Sequence, residues 1–405
     1  MRILFLQGYD GGSHHAFLCG WMKHTKYEMV ALSLSGRSWK WRMRHGAASF
    51  AQWLRSRVED DTWGKIDREQ MTRVSIASNR EIDESDIDVT WLRGVDVVMA
   101  TSMVDLATFA GLMPSVLIGA KFYLYMHENQ FTYPVRQEDT RDIHFGLTQI
   151  NSVLTAIGRG GKVIFNTDYN RQSMLNGFAT AERKLPGKEL QFAEEVIAKR
   201  SEVIGVGIDT TGLRKKAQKY REFQGNHPTL RIVWAGRWEH DKQPELLADA
   251  LKRLDEIGTD FELSVIGERF KDEPCVFAAI KQQHGDRIKY WGYQTSREAY
   301  EDALCQADVM ISTAGHEFQG LSVLEGAAAG CALVLPKALA YPEVFAHEPN
   351  KVSWYLENDV EAIVIQLCRL AEMKTQGHVL PKVVESAMRY DWLRIAKQLD
   401  ERVGI

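Results

Sequence analysis

The sequence predicts an α/β protein built from two Rossmann-like, doubly wound domains, and three observations carry that prediction. The chain has 405 residues, more than one compact core accommodates, so two domains of ordinary size are expected. In the C-terminal half, short apolar runs recur at intervals of roughly 20–30 residues with helical stretches between them, the spacing of βαβ units. Runs such as VMIS (Val309–Ser312) and ALVL (Ala332–Leu335) are apolar at successive positions, as central strands buried on both faces of a parallel sheet should be.

Taken in order, the N-terminal half offers candidate strands at Arg2–Gln7, Glu28–Leu34, Val95–Ala100, Phe122–Met126 and Lys162–Asn166. Helical stretches fall between them, for example Asp105–Leu112 and His144–Ile157. Residues 59–90 are charged and weakly periodic and read as an excursion. The polar stretch Gly212–Pro228 reads as an interdomain linker, 211–228. The second set of strands is Leu230–Gly236, Phe261–Gly267, Ile288–Tyr293, Asp308–Ala314 and Cys331–Pro336, and the last segment, Arg389–Val403, is helical. The expected division is 1–210 and 229–385, with a helix over about 386–405 as a candidate to cross back to the first domain. Two such domains facing across a cleft place a ligand between them, at the carboxyl ends of the strands.

Composition excludes some functions. Net charge is −4, so any nucleic-acid surface has to be a local patch. No apolar run approaches a membrane span, and Ile3–Leu6 is too short for a secretory leader. The five cysteines, Cys19, Cys275, Cys305, Cys331 and Cys368, lie far apart without a CxxC pair. That argues against a zinc site or a disulfide framework and for a reducing, cytoplasmic setting. No DxD or His/Asp/Cys cluster stands out, so no metal is expected.

Five stretches carry chemistry. In HEFQGLSVLEG, Glu317 and Glu325 stand seven residues apart, the first on a strand-to-helix loop and the second about one turn into the helix that Gly320 opens. A helix N-terminus with free N–H groups suits a diphosphate. The carboxylates suit sugar and ribose hydroxyls. The competing reading is one helix-start acid and one solvated helix glutamate. In AGRWEHDK, directly after the first strand of the second domain, Arg237 and Lys242 are anion ligands for a leaving diphosphate. The alternative is a surface ion-pair cluster with Glu239 and Asp241.

In GYDGGSHH, the pair Gly11 and Gly12 permits a tight turn and close ligand approach; a plain strand-to-helix turn fits equally. In YMHENQFTYPV, His127 ends a strand with Glu128, Asn129 and Gln130 behind it, unlike a core histidine. The run Ser35–Arg57 carries Arg37, Lys40, Arg42, Arg44, Arg55 and Arg57, no acid, and interleaved Trp39, Trp41 and Trp53. Cations with stacking aromatics fit a looped or single-stranded RNA. The competing reading is an amphipathic helix whose tryptophans pack in the core.

These residues resemble the retaining glycosyltransferases of the GT-B fold. More narrowly, GGSH (Gly11–His14), WKWRMR (Trp39–Arg44), HENQFTYPV (His127–Val135), RWEHDK (Arg237–Lys242), YWGY (Tyr290–Tyr293), ISTAGHEFQGLSVLE (Ile311–Glu325) and PKALAYPE (Pro336–Glu343) resemble the tRNA-queuosine α-mannosyltransferase family. The resemblance implies transfer of mannose from GDP-mannose to the cyclopentenediol of queuosine in the anticodon loop of tRNA-Asp, with retention and without a metal. It implies catalytic roles for His127 and Glu317. Donor contacts would come from Gly11, Gly12, Arg237, Lys242, Gly267, Tyr293, Phe318, Gly320, Leu321 and Glu325. Acceptor and tRNA contacts would come from Lys40, Trp41, Arg42, Arg44, Asn129 and Gln130. The expected partners are tRNA and a nucleotide sugar, with no membrane. Alternatives are a GT-B transferase with another donor or acceptor, an epimerase or phosphorylase on the same fold, and a tRNA-binding protein with a vestigial nucleotide site.

Overall fold

The computed structural model describes residues 1–58, 73–134, 142–224, 227–269 and 273–404. The chain divides into two compact units, Met1–Gly207 with Trp392–Ile405, and Ile208–Asp391. The first contains β1 (Arg2–Asp10), α1 (Gly12–His24), β2 (Glu28–Ser35), α2 (Trp39–Arg55), β3 (Ser75–Ser78), α3 (Val89–Arg93) and β4 (Val97–Thr101). It continues through α4 (Leu106–Leu112), β5 (Lys121–Met126), α5 (Ile143–Gly158), β6 (Val163–Phe165), α6 (Asp168–Glu182), α7 (Phe192–Arg200) and β7 (Ser201–Val203). The sheet order is β3-β2-β1-β4-β5-β6-β7. All pairings are parallel except β2 with β3. The order reverses at β1 and β4, and this switch point aims their carboxyl ends at one region.

The second unit contains α8 (Thr210–Gln224), β8 (Leu230–Ala235), α9 (Pro244–Glu256), β9 (Phe261–Ile266), α10 (Val276–His284), β10 (Ile288–Gly292) and α11 (Arg297–Gln306). It ends with β11 (Val309–Ile311), α12 (Leu321–Ala329), β12 (Ala332–Pro336), α13 (Tyr341–Val344), β13 (Ser353–Tyr355), α14 (Val360–Thr375) and α15 (Val384–Met388). Its sheet, β10-β9-β8-β11-β12-β13, is wholly parallel. The switch point lies between β8 and β11. The central strands are buried on both faces: Ile3 to Leu6 in β1 and Leu333 to Leu335 in β12 are fully buried, which explains why these strands lack alternation.

The last helix, α16 (Trp392–Val403), belongs to the first unit. Trp392, Ile395, Ala396, Leu399 and Val403 share its buried face. The Trp392 ring lies so close to Gly20 that a Cβ there would stand 1.9 Å from it; glycine inside α1 makes room for the indole. Asp400, also buried, accepts hydrogen bonds from Trp21 Nε1 (2.9 Å), Thr25 Oγ1 (2.6 Å) and the Lys26 amide (2.9 Å).

The structure corrects two readings. The stretch read as the linker 211–228 is largely α8, and the boundary falls at Gly207/Ile208 instead. Leu213 and Ala217 are buried one turn apart, and Lys216 pairs with Asp302 at 2.7 Å; the surrounding Lys, Arg and Gln hid that narrow apolar stripe. Of the excursion 59–90, residues 59–72 lie outside the described residues. The remainder supplies the antiparallel edge strand β3 and the short α3.

Candidate functional site

In the second unit, two loops meet at the switch point. The loop after β8 and the loop after β11 are laced together: Thr313 Oγ1 donates to the Lys242 carbonyl (2.7 Å) and the Gly315 amide to the Asp241 carbonyl (2.9 Å). This brings Lys242 Nζ to 2.8 Å from the His316 carbonyl, 3.1 Å from Asp241 and 3.2 Å from Glu317. Glu317 Oε1 also accepts the amides of Phe318 (3.1 Å) and Gln319 (3.4 Å). Burial works against both charges. For Lys242, the Glu317 and Asp241 carboxylates outweigh it and raise the pKa; for Glu317, Lys242 and the Gln319 amide outweigh it and lower the pKa. The pair is therefore ionised at neutral pH. His316, between them, is driven down to about 4 by burial and then by Lys242, so its ring is neutral.

Gly320, at φ 83°, starts α12, and no side-chain hydrogen bond caps it. A Cβ there would meet the Tyr341 ring at 2.7 Å. An uncapped helix start offers N–H groups and a positive dipole end. Leu321 opens that first turn, and Ser322 Oγ ties it to the Ala235 carbonyl at 2.8 Å. One turn in, the buried Glu325 receives Arg297 and Tyr300, each at 2.7 Å. Each carboxylate oxygen keeps further acceptor capacity. Arg237 pairs with Glu239 (2.8 Å) and Asp241 (3.5 Å). Gly267, at φ 146°, passes so close to the Gly236 carbonyl that a Cβ would stand 1.7 Å from its oxygen. Phe318 is buried edge-on to His316, while Tyr293 is 64% exposed just past β10. This cluster can bind a diphosphate through its cations and helix start, and hydroxyl groups through its carboxylates.

In the first unit, Gly11 and Gly12 start α1 after β1, again with no side-chain hydrogen bond at the cap. His14 Nε2 donates to Glu128 Oε2 (2.9 Å), and Ser102 Oγ donates to Glu128 Oε1 (2.6 Å). The His14 and His127 rings lie with centroids 4.0 Å apart. His127 is buried and its pKa lies well below the usual histidine value, because of burial and then His14. Asn166 donates to the His127 carbonyl (2.8 Å). Asn129 is fully buried; its amide donates to Asn170 Oδ1 (3.0 Å) and Ser173 Oγ (2.8 Å) and its oxygen accepts from Thr132. Its geometry is that of a loop-holding residue, in place of the RNA contact read from the sequence. Gln130 is partly buried, its amide bound to Gln149.

The basic run splits in two. Trp53 is core, Arg55 bonds the Leu112 carbonyl, and Arg57 pairs with Glu84. The other part faces outward: Trp41 is 63% exposed, Arg44 lies over the Phe145 ring, and Lys40 pairs with Asp142 at 2.6 Å. Arg42 is partly buried and bonds Ser35 Oγ at 2.6 Å. The start of α2 thus carries cations and no acid at its positive dipole end. Among the described residues, no group of three or more His, Cys, Asp or Glu is placed to hold a metal, and no helix is long and apolar enough to cross a membrane.

Residues 2–63 and 70–208 match the tRNA-queuosine alpha-mannosyltransferase N-terminal family, and 229–373 match glycosyl transferases group 1. The Drosophila melanogaster tRNA-queuosine alpha-mannosyltransferase is 30% identical over 373 residues, 91% of this chain and 87% of that protein. The chain belongs to the tRNA-queuosine alpha-mannosyltransferase family. It is a glycosyltransferase of the hexosyltransferase class. A Mycobacterium tuberculosis GDP-mannose-dependent alpha-(1-6)-phosphatidylinositol dimannoside mannosyltransferase is 25% identical over about half of each chain. Anabaena Alr3699/HepE, solved with UDP and glucose, superposes with a TM-score of 0.62 at 17% identity over 100% of this chain and 99% of its own. The fold is GT-B.

In this family member, Arg237, Lys242, Glu317, Phe318, Gly320, Leu321 and Glu325 cluster at the β8–β11 switch point. Gly267 lies against Gly236 at the end of β9, and Tyr293 follows β10. Gly11, Gly12 and His127 cluster in the other unit. Arg297, Tyr300, Asn166 and Asn170 were missed. Arg297 and Tyr300 look like ordinary polar helix positions; only the fold places them on Glu325. Asn166 and Asn170 are one helical turn apart in FNTDYN, a spacing that by itself carries little.

Proposed function

We propose that this enzyme transfers mannose from GDP-mannose to the cyclopentenediol of queuosine in the anticodon loop of tRNA-Asp, with retention and without a metal ion, in the cytoplasm. The observation that carries the reading is the match of nearly the whole first unit to the queuosine-specific N-terminal family, on a unit that presents Lys40, Trp41 and Arg44 outward. The match over half its length to a GDP-mannose-dependent enzyme supports the donor.

Each part then has work to do. Lys242, Arg237 and the start of α12 neutralise the departing diphosphate, the task a metal performs elsewhere. Glu317, ionised and held by two amides, accepts hydroxyls of the sugar. Glu325 accepts ribose hydroxyls from the grip of Arg297 and Tyr300. His127, neutral, offers the sugar a hydrogen bond without adding positive charge beside a cationic transition state. The acceptor hydroxyl attacks on the leaving-group side, and the leaving phosphate takes its proton. Trp41 stacks on an unpaired base while the adjoining cations hold phosphates.

The test is incubation with a panel of nucleotide sugars and total tRNA, followed by nucleoside mass analysis. A hexose added to queuosine from GDP-mannose alone is the expected result. No mass change with any donor would defeat the reading.

A further inference from the structure

We infer that His14 and Glu128 are positioning residues that act through His127. The inference rests on the role given above to His127. Three side chains from three elements converge: His14 on α1, Ser102 just after β4, and Glu128 just after β5. All three are more than nine-tenths buried, as is His127. The hydrogen bonds run in one sense. Ser102 Oγ donates to Glu128 Oε1 at 2.6 Å, and His14 Nε2 donates to Glu128 Oε2 at 2.9 Å. The carboxylate accepts, so His14 carries a proton on Nε2 and keeps its other ring nitrogen, Nδ1, clear of the carboxylate. The backbone is fixed as well: Gln7 Nε2 donates to the His14 carbonyl at 2.7 Å and Gln7 Oε1 accepts from Thr101 at 2.9 Å.

This ring lies against His127, centroids 4.0 Å apart and planes tilted by 34°. Phe17 meets His127 edge-on at 5.2 Å, and Tyr125 packs at 4.7 Å. His127 is therefore walled by the rings of Phe17, Tyr125 and His14, and of these three His14 is the one that brings ring nitrogens. Neither nitrogen of His127, nor Nδ1 of His14, has a hydrogen-bond partner among the described residues. Each such buried atom costs about 1–3 kcal/mol. A fold that needed packing here could use apolar rings and bury no carboxylate. Three unpartnered nitrogens on two touching rings, one anchored by a buried Ser–Glu pair, are instead what a hydroxyl-bearing ligand requires. A hydroxyl group needs a donor and an acceptor, and a neutral His127 supplies both. The geometry thus assigns Glu128 the job of orienting His14, and His14 the job of holding the His127 ring in its working orientation beside the sugar. The arrangement follows the same logic as a base oriented by a third group.

The experiment is a double-mutant cycle in steady-state transfer from GDP-mannose to queuosine-containing tRNA, with thermal midpoints recorded for every variant. His14→Phe keeps the ring stack and removes both nitrogens. Glu128→Gln is isosteric with the native side chain and carries the same test while leaving the stack alone. Each is expected to lower kcat roughly ten- to a hundredfold, the range for a small misplacement at a reacting centre, with the KM for GDP-mannose within about twofold of wild type. Added to His127→Ala, each is expected to lower kcat no further, because both act through the ring already lost. Wild-type kcat in folded His14→Phe and Glu128→Gln overturns the inference, and so do losses that multiply with that of His127→Ala. If His127→Ala itself turns over at the wild-type rate, the underlying role of His127 fails first, and the relay with it.

Discussion

Lys242 Nζ and Glu317 Oε2 lie 3.2 Å apart although 75 residues separate them in the chain. The contact crosses the switch point of the second sheet and joins the cation of one loop to the carboxylate of the other. In the proposed function Lys242→Met removes a charge from the departing diphosphate, and it strands Glu317. Steady-state assays should show kcat reduced at least about a hundredfold. Glu317→Gln should lose a similar amount with little change in tRNA affinity. Either variant at wild-type kcat would remove the pair from the reaction.

Glu325 should behave differently. In the proposed function it binds a part of the donor that does not react, so its loss is expected to weaken ground state and transition state alike. Glu325→Ala is expected to raise the KM for the nucleotide sugar roughly ten- to a hundredfold, as for hydrogen bonds to a charged group, with kcat nearly unchanged. Tyr300→Phe should show a smaller shift of the same kind. A solvated helix glutamate would leave KM where it is.

The outward part of the basic run should govern tRNA affinity. Lys40→Ala, Arg42→Ala and Arg44→Ala are each expected to weaken tRNA binding and to reduce the slope of log K against log salt by up to about one. Trp41→Ala should weaken binding with little change in slope. Arg57→Ala, whose partners are Glu84 and the Trp53 ring, should lower stability and leave the slope alone. Fluorescence titrations at several salt concentrations decide this.

Stability should fall in mild acid. His316 has a folded pKa of about 4, against an ordinary value near 6.5. Between those values the unfolded chain binds a proton that the folded chain does not, so stability declines as pH drops. From pH 7 to pH 5, His316 alone accounts for about 2 kcal/mol, and His127 acts in the same direction. Denaturant melts at the two pH values measure the difference, and His316→Gln should flatten it.

Asp400→Ala should destabilise the first unit by roughly 3 kcal/mol, since three donors lose their acceptor inside the protein. A melt followed through Trp21 fluorescence should shift, while donor binding in the second unit persists at lower denaturant.

Much of this was legible beforehand. Continuous apolar runs such as ALVL marked the central strands because those strands are buried on both faces. Glu317, Lys242 and Gly320 were legible because loop chemistry after a parallel strand is local in sequence. The grip of Arg297 and Tyr300 on Glu325 was not, since it joins neighbouring helices through side chains with no apolar pattern. Asn129 misled because its polarity suits an exposed loop equally well; only the fold reveals that Asn170 and Ser173 consume it. The linker misled because α8 buries few apolar residues beneath many charges.

The placement of α16 bears on the order in which the protein comes into being. Residues 392–405 complete the first unit but leave the ribosome after all of Ile208–Asp391 has been made. At about 5–20 residues per second, that interval lasts roughly 10–40 s. Throughout it Trp21, Thr25 and Lys26 await Asp400, and the face of α1 at Gly20 awaits Trp392. The second unit therefore can mature first, and the half expected to meet the RNA is sealed only once α16 has emerged.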